Sequence, residues 1–343
     1  MADINAFDAG RLLIPEIDRL LHNRYRMLQA IQAHGPIGRR TLADMLNRTE
    51  REIRNEMSVL QEKQLIQVFQ KGMILTENGH IVLEKLKLYF YEVSGLAYKE
   101  KLLAKHLNIQ KVAIVPGDVD ADPSAKSLLG KEASYILGER AAPKSIVAVT
   151  GGSSVASLRH HLLEAKPFNS MMFVAARGSM SNDVSLQANT LVAKFAKQCG
   201  GQYHTLFLPE FLSEQAYTLM MEEPIVKETV QLYDDANIVI HGIGTASEMG
   251  KRRKMSEEDN AQLVDKGAVG EAFGYFFDES GNVVYRIQTV GFQIEQVKQS
   301  ELILAIAGGK SKAMAIEAYF KIAANHTVLI TDEGAADEIL SKL

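Results

Sequence analysis

At 343 residues the chain is long enough for two domains, at least one with a sizeable core, and 46% hydrophobic with 23% charged residues excludes a disordered or fibrous protein. A net charge of −4 argues against a generic nucleic-acid coat, and the single cysteine, Cys199, excludes an internal disulfide framework. No run of about 18 apolar residues is present to span a membrane, and MADINAFDAGRLLIPEI lacks a basic stretch followed by a long apolar one, so a cytoplasmic location is expected.

Charge is unevenly spread: residues 1–91 hold 13 Lys and Arg against 11 Asp and Glu, +2, and the remainder carries −6. A first helix is expected over Ile14 to His34, with Ile17, Leu20, Leu21, Leu28 and Ile31 at helical spacing. GPIGRRTLADMLNRTEREIRNEMSVLQEKQLI then reads as two short helices. Thr41 is placed to cap the first, and Asn47-Arg48 breaks the pattern. Thr49 and Glu52 form a T-x-x-E capping box that opens the second. On that second helix Ile53, Met57 and Leu60 share one stripe, while Arg51, Asn55 and Ser58 share the opposite one and Arg54 lies between. Arginine and asparagine can donate to base edges and phosphates. LIQVFQKGMILTENG suggests a strand, a Lys71-Gly72 turn, a second strand and a helix from Thr76. This is the order of a winged helix-turn-helix, which lays its second helix in the major groove. Arg39, Arg40, Arg48, Arg51, Arg54, Asn55, Ser58 and Lys71 form the candidate DNA-contacting set. The bland alternative is a solvated charged helix in a small bundle, since Glu50, Glu52, Glu56 and Glu62 interleave with the arginines.

From Thr76 to about Leu107 a stiff connecting helix is expected, with Gly95 its weak point. Beyond Lys111, strands are expected at 112–115, 145–149, 171–176, 204–208 (HTLFL), 237–241, 302–306 and 327–331. Helices are expected at Ser154 to Glu164, Asn189 to Gln198, Pro224 to Tyr233 and Lys312 to Ala323. Short apolar strands alternating with helices indicate a doubly wound, mostly parallel α/β sheet. A hairpin is expected with its turn at Glu279 to Asn282. The domains are therefore 1–91, a winged-helix DNA-binding domain; 92–110, a helical linker; and 111–343, an effector-binding and oligomerisation domain.

In such a sheet, ligands collect at the carboxyl ends of strands. Four loops there suit an anion: TGGSS (150–154), ARG (176–178), HGIGTA (241–246) and AGGKSK (307–312). Gly151 and Gly152 let backbone amides approach, Ser153 and Ser154 add hydroxyl donors, and Arg177 and Lys312 supply full charges. Nucleotide readings fail on spacing: a P-loop ending at Gly309-Lys310-Ser311 has Leu304 where its first glycine belongs, and after Gly242-Ile243-Gly244 the third glycine position of a dinucleotide fingerprint is Ser247.

GPIGRR (35–40), IVAVTGG (146–152), IHGIG (240–244), EAFGY (271–275), SKAMAIEAYFK (311–321) and TDEGAA (331–336) carry a resemblance across both domains to the SorC family of bacterial transcription repressors. The resemblance implies a winged-helix DNA reader joined to a sugar-isomerase-like effector domain that binds fructose 1,6-bisphosphate or a related sugar phosphate. It also implies repression of the glyceraldehyde-phosphate dehydrogenase operon, and homodimers or homotetramers on operator DNA. Carried over by position, Ser153 and Ser154 meet one phosphate, and Arg177, Gln187, Arg252, Glu271 and Lys312 contact the sugar or its other phosphate, with Arg253 the alternative to Arg252. Glu271 would accept from sugar hydroxyls.

An enzyme of the sugar-phosphate isomerase or deaminase kind is the alternative, with His241, Asp265, Asp332 and Glu333 as possible acids or bases. Each has a duller reading: a strand-end histidine satisfied by backbone, and TDEG as a helix-capping turn. His160-His161 has no acidic or thiol partner nearby in sequence, so no metal pattern and no cofactor are expected. A third reading is an architectural DNA-binding protein with no ligand.

Overall fold

The computed structural model describes residue 14 and residues 16–46, 48–93, 95–179, 183–209 and 212–343, and the chain divides into two compact units, Met1–Ala97 and Tyr98–Leu343. The first unit runs α1 (Glu16–His34), α2 (Arg39–Met45), α3 (Glu50–Glu62), β1 (Ile66–Phe69), β2 (Gly72–Leu75) and α4 (Glu77–Val93). The start of α3 is fixed locally. Thr49 Oγ1 accepts from the Glu52 amide at 3.3 Å while Glu52 Oε2 accepts from the Thr49 amide at 2.9 Å, the reciprocal cap its spacing predicts. Ile53, Met57 and Leu60 of α3 are buried in one core with Leu28 and Ile31 of α1 and Leu42 of α2. Helix α2 starts earlier than expected. Its N-cap is Gly38, in extended backbone, and Arg39 is already helical, so Thr41 lies inside the helix instead of capping it. Asn47, expected to break the pattern there, lies outside the described residues.

Strands β1 and β2 pair antiparallel from Ile66 opposite Leu75 to Phe69 opposite Gly72, and Ile37 exchanges two backbone hydrogen bonds with Met73, at 3.1 and 2.8 Å. Gly72, at φ +131°, lies so near Ile37 that a Cβ would meet its carbonyl carbon at 2.7 Å, so only glycine turns the wing here. The single connecting helix expected from Thr76 to Leu107 is two: α4 ends at Val93, Gly95 takes φ +71°, and α5 (Leu96–His106) begins anew. A positive φ cannot continue a right-handed helix, and only glycine adopts it without cost.

The second unit continues β3 (Lys111–Val115), α6 (Lys126–Arg140), β4 (Ile146–Val149), α7 (Ser153–Ala156), β5 (Met172–Ala175), α8 (Ala188–Cys199), β6 (Gln202–His204), α9 (Glu214–Glu222), α10 (Pro224–Asp234), β7 (Ile238–Gly242), β8 (Gly244–Thr245), α11 (Ala246–Arg252), α12 (Glu257–Asp265), β9 (Gly270–Ala272), β10 (Tyr275–Phe277), β11 (Val283–Arg286), α13 (Ile294–Gln299), β12 (Leu302–Ile306), α14 (Ala313–Phe320), β13 (Val328–Asp332) and α15 (Glu333–Leu340). Seven strands form a parallel sheet in the order β3-β13-β12-β7-β4-β5-β6, and β11-β10-β9-β8 form a smaller antiparallel one. From β4 the chain winds outward to β6, then returns to β7 beside β4 and winds the other way. The switch in direction therefore falls between β4 and β7, where neighbouring connections part and open a crevice at the strands' carboxyl ends.

Three sequence expectations shift. The strand placed on HTLFL is Gln202–His204 instead, because the Asn189 side chain both donates to the Leu206 carbonyl and accepts from its amide, each at 2.8 Å, where a strand neighbour would pair. The helix expected over Ser154 to Glu164 is α7 followed by a tighter 3-10 segment, Ser157–His161, whose first carbonyl presses on Gly130 of α6. The helix expected from Lys312 begins as a 3-10 turn, Lys310–Lys312, and is α-helical from Ala313. The hairpin β10–β11 has its turn where expected, held by Asp278, whose carboxylate accepts from the Ser280 and Asn282 amides at 2.9 and 2.8 Å. Among the described residues no helix is long and apolar enough to cross a membrane.

Candidate functional site

The crevice at the switch point is a cavity, and every effector-contact candidate read from the sequence lines it: Gly151, Gly152, Ser153, Ser154, Arg177, Gln187, Arg252, Glu271 and Lys312. The loops supply them in different ways. After β4, Gly152 at φ +118° gives its amide to the Leu186 carbonyl at 2.9 Å, and the chain turns into α7. The backbone amides of Ser153 and Ser154 belong to the first turn, where a helix offers them no internal partner. With their hydroxyls they make a compact donor group on the cavity wall. Gln187, the N-cap residue of α8, stands on the facing loop.

Beyond β5, Arg177 is buried and paired through Nη1 with Glu271 Oε1 at 3.2 Å. The same Oε1 accepts from Arg253 Nη2 at 2.9 Å and from the Gly274 amide. Burial alone would push the Glu271 carboxyl up, but the Arg253 and Arg177 charges and these hydrogen bonds hold it below the usual carboxylate range. Glu271 thus fixes two guanidinium groups in the cavity floor, a role that the reading of it as a sugar-hydroxyl acceptor did not include.

Arg252 and Arg253, adjacent in sequence, lie in different surroundings. Arg253 has no exposed side-chain surface and packs over the Phe276 ring, 5.6 Å from its centroid. Arg252 keeps 31% exposure and lies 3.8 Å from Glu248, one helical turn back on α11. Arg252 is therefore the more exposed of the two guanidinium groups. Arg253, read from the sequence as the alternative to Arg252, lines the cavity too, as do Glu248 and Asp183, which sequence reading missed. The i,i+4 spacing of Glu248 and Arg252 was legible as a helix pair, though not as part of a site.

The AGGKSK turn differs from its expectation. Its amides do not face the cavity for an anion to use: Gly309 N donates to Asp332 Oδ2 at 2.8 Å, Lys310 N to Asp118 Oδ1 at 3.3 Å and Ser311 N to Asp120 Oδ2 at 2.7 Å. The turn contributes only the Lys312 side chain. Burial pushes that ammonium's pKa down; Lys126 and Arg252 act the same way, and Glu248 and Asp120 oppose them. The HGIGTA loop supplies the wall: the Gly242 amide faces Thr150 Oγ1 at 3.4 Å, and Thr245 caps α11.

None of the acid–base candidates lines the cavity. His241 is fully buried, with Nδ1 3.1 Å from the Gly242 carbonyl and Nε2 3.1 Å from the Tyr319 hydroxyl, and burial lowers its pKa to about 4. Asp332 accepts from the Ala335 amide as the cap of α15, Glu333 pairs with Lys99, and Asp265 is exposed at the end of α12. His161 is 3.2 Å from the Ser127 hydroxyl, and among the described residues no group of three His, Cys, Asp or Glu side chains is arranged to hold a metal.

In the first unit, Arg51, Arg54, Asn55 and Ser58 are exposed on α3, on the side away from Ile53, Met57 and Leu60. Arg51, Asn55 and Ser58 follow one another at helical spacing on one face. Arg39 and Arg40 are exposed at the start of α2, Arg48 is half-buried in the turn between the helices, and Lys71 is exposed at the tip between β1 and β2.

Residues 91–341 match the sugar-binding domain family, and residues 20–90 match the CggR N-terminal DNA binding domain family. The chain is 41% identical over 332 residues to a central glycolytic genes regulator of Bacillus subtilis (strain 168), covering 97% of each chain. It is 40% identical over 334 residues to one of Priestia megaterium (strain DSM 319 / IMG 1521), again covering 97% of each. A crystal structure from Enterococcus faecalis, assigned to the SorC family of transcriptional regulators, is 40% identical with a TM-score of 0.67, over 71% of this chain and 99% of that one. The full-length sorbitol operon regulator SorC of Klebsiella pneumoniae shares the fold at 17% identity, with a TM-score of 0.68 over 93% of this chain and 98% of that one. The chain belongs to the central glycolytic genes regulators of the SorC family, which are transcription regulators rather than enzymes and join a DNA-binding domain to a sugar-binding domain.

Proposed function

We propose that this regulator represses glycolytic genes in the cytoplasm, the glyceraldehyde-phosphate dehydrogenase operon among them, and that fructose 1,6-bisphosphate controls its hold on operator DNA. The observation that carries this reading is the convergence of hydroxyl, amide and cationic donors on one cavity at the switch point of the sheet. Its lining cations, Arg177, Arg252, Arg253 and Lys312, outnumber the carboxylates Asp183, Glu248 and Glu271 by one, which suits a phosphorylated sugar better than a neutral one. One phosphate sits against Ser153 and Ser154; Arg177, Gln187, Arg252 and Lys312 take the sugar and the other phosphate, over a floor held by Glu271. Dimers or tetramers present paired α3 helices to two half-sites, with Arg51 and Asn55 toward base edges and Arg39, Arg40, Arg48 and Lys71 toward phosphates.

Effector linkage of this kind is worth about 1 to 3 kcal/mol, or roughly 5- to 150-fold in operator affinity. Operator titrations with and without fructose 1,6-bisphosphate test it: weaker binding with the sugar is expected, and equal affinity rejects the switch. In the same assay at several salt concentrations, Arg51→Ala relaxes sequence preference, whereas Lys71→Ala weakens all sequences alike and flattens the salt dependence.

A further inference from the structure

We infer that Asp120 is a positioning residue for the effector site: its carboxylate fills the glycine turn 307–311 and so fixes Lys312 on the cavity wall. This rests on the reading of Lys312 as an anion contact. Three successive amides, those of Gly309, Lys310 and Ser311, each meet a different carboxylate of the chain itself, from Asp332, Asp118 and Asp120. A run of amides gathered in a turn is the arrangement that cradles phosphate elsewhere. Here the anion is covalently attached and cannot leave, so the turn is formed whether or not a ligand is present.

Of these three bonds to the turn, the one to Asp120 is the shortest. Its Oδ1 lies 2.5 Å from where a Cβ on Gly309 would stand, so the carboxylate packs flat against a glycine at φ +102°. Its Oδ2 holds the Ser311 amide at 2.7 Å, and the Lys312 amide closes the turn on the Gly309 carbonyl at 3.0 Å. Lys312 is therefore the first residue released from the clamp, and it lines the cavity whereas Asp120 does not. The charged groups acting on the Lys312 ammonium are Glu248 and Arg252 on α11, Lys126 at the start of α6 and Asp120 after β3. Two of the four are cations, so Glu248 and, to a lesser degree, Asp120 are the charges that oppose the downward push of burial on the ammonium's pKa.

The test is the pH dependence of Lys312 acylation by acetic anhydride in the full chain, read by peptide mass spectrometry, alongside calorimetry with fructose 1,6-bisphosphate. Asp120→Ala removes both the acceptor that holds the turn and the charge, and Asp120→Asn, which keeps an acceptor, isolates the charge. The expected result is a roughly threefold rise in Lys312 reactivity below its midpoint, and a roughly three- to tenfold loss of sugar affinity that grows as pH rises. In a Lys312→Arg background, where the cation does not titrate, Asp120→Asn no longer alters the pH profile. Unchanged Lys312 reactivity in Asp120→Ala overturns the assignment whatever happens to ligand binding. Absence of sugar binding by the wild-type chain instead overturns the effector reading, while the acylation profile still decides the role of Asp120. If Asp120→Ala fails to fold, Asp120→Ser carries the same measurement.

Discussion

The loops TGGSS and AGGKSK leave parallel strands that flank β7 in the same sheet, and each turns on a glycine of positive φ, Gly152 at +118° and Gly309 at +102°. By composition either could cradle a phosphate. Yet a Cβ on Gly152 would meet open space, whereas one on Gly309 would strike the Asp120 carboxylate. The first loop presents its donors to the cavity; the second has spent its amides on the chain's own carboxylates and delivers a single lysine. A glycine motif describes what the backbone is able to do, and the surrounding fold settles whether the place is already taken.

The largest effect that would break this comparison lies in the cavity floor. Glu271→Ala leaves Arg177 and Arg253 buried together without their shared carboxylate, and a loss of about 3 to 5 kcal/mol is expected on denaturant unfolding. A loss below about 1 kcal/mol would mean that the floor is far wetter than its burial implies.

Next comes pH, through His241 on β7 between the two loops. With its folded pKa at about 4 against 6.5 for an ordinary histidine, the unfolded chain takes up a proton that the folded one refuses as pH falls below 6.5. Stability is therefore complete above that pH and declines toward pH 4 by about 3 kcal/mol. His161, also held low by burial, acts in the same direction. Unfolding at several pH values should show this slope, and His241→Gln should flatten it whatever its effect on the level.

The two glycines sharpen the contrast directly. Gly152→Ala meets only backbone strain, about 1 to 3 kcal/mol, while Gly309→Ala adds displacement of Asp120 and should cost about 1 kcal/mol more. Equal losses would show that the Asp120 contact is idle. Smallest in stability are Ser153→Ala and Ser154→Ala, expected within about 1 kcal/mol of wild type in the free protein. Their effect belongs to binding, with a several-fold loss of sugar phosphate affinity by calorimetry and little change in the melting temperature without ligand.

Local chemistry made much of the molecule legible. The Thr49–Glu52 box, the Lys71-Gly72 turn and the apolar strands of the large sheet are short-range patterns, and Arg177, Lys312 and the TGGSS serines could be placed at strand ends from them. Errors came where a distant side chain or a local backbone turn intervened. Asn189 occupies the backbone of Leu206 and displaces the expected strand, and Gly95 divides a helix whose apolar rhythm continues past it.

By itself the sequence determined the alternation of strands and helices, the Thr49–Glu52 cap and the hairpin turns, and which residue types stand at the strand ends, because these depend on neighbours a few positions away. Only the tertiary structure decided that Arg253 is locked on Glu271 while Arg252 stays at the mouth, and that Asp118 reaches the Lys310 amide 192 positions on. Burial and charge pairing act through space, and the winding of the sheet, not spacing along the chain, sets which charges meet.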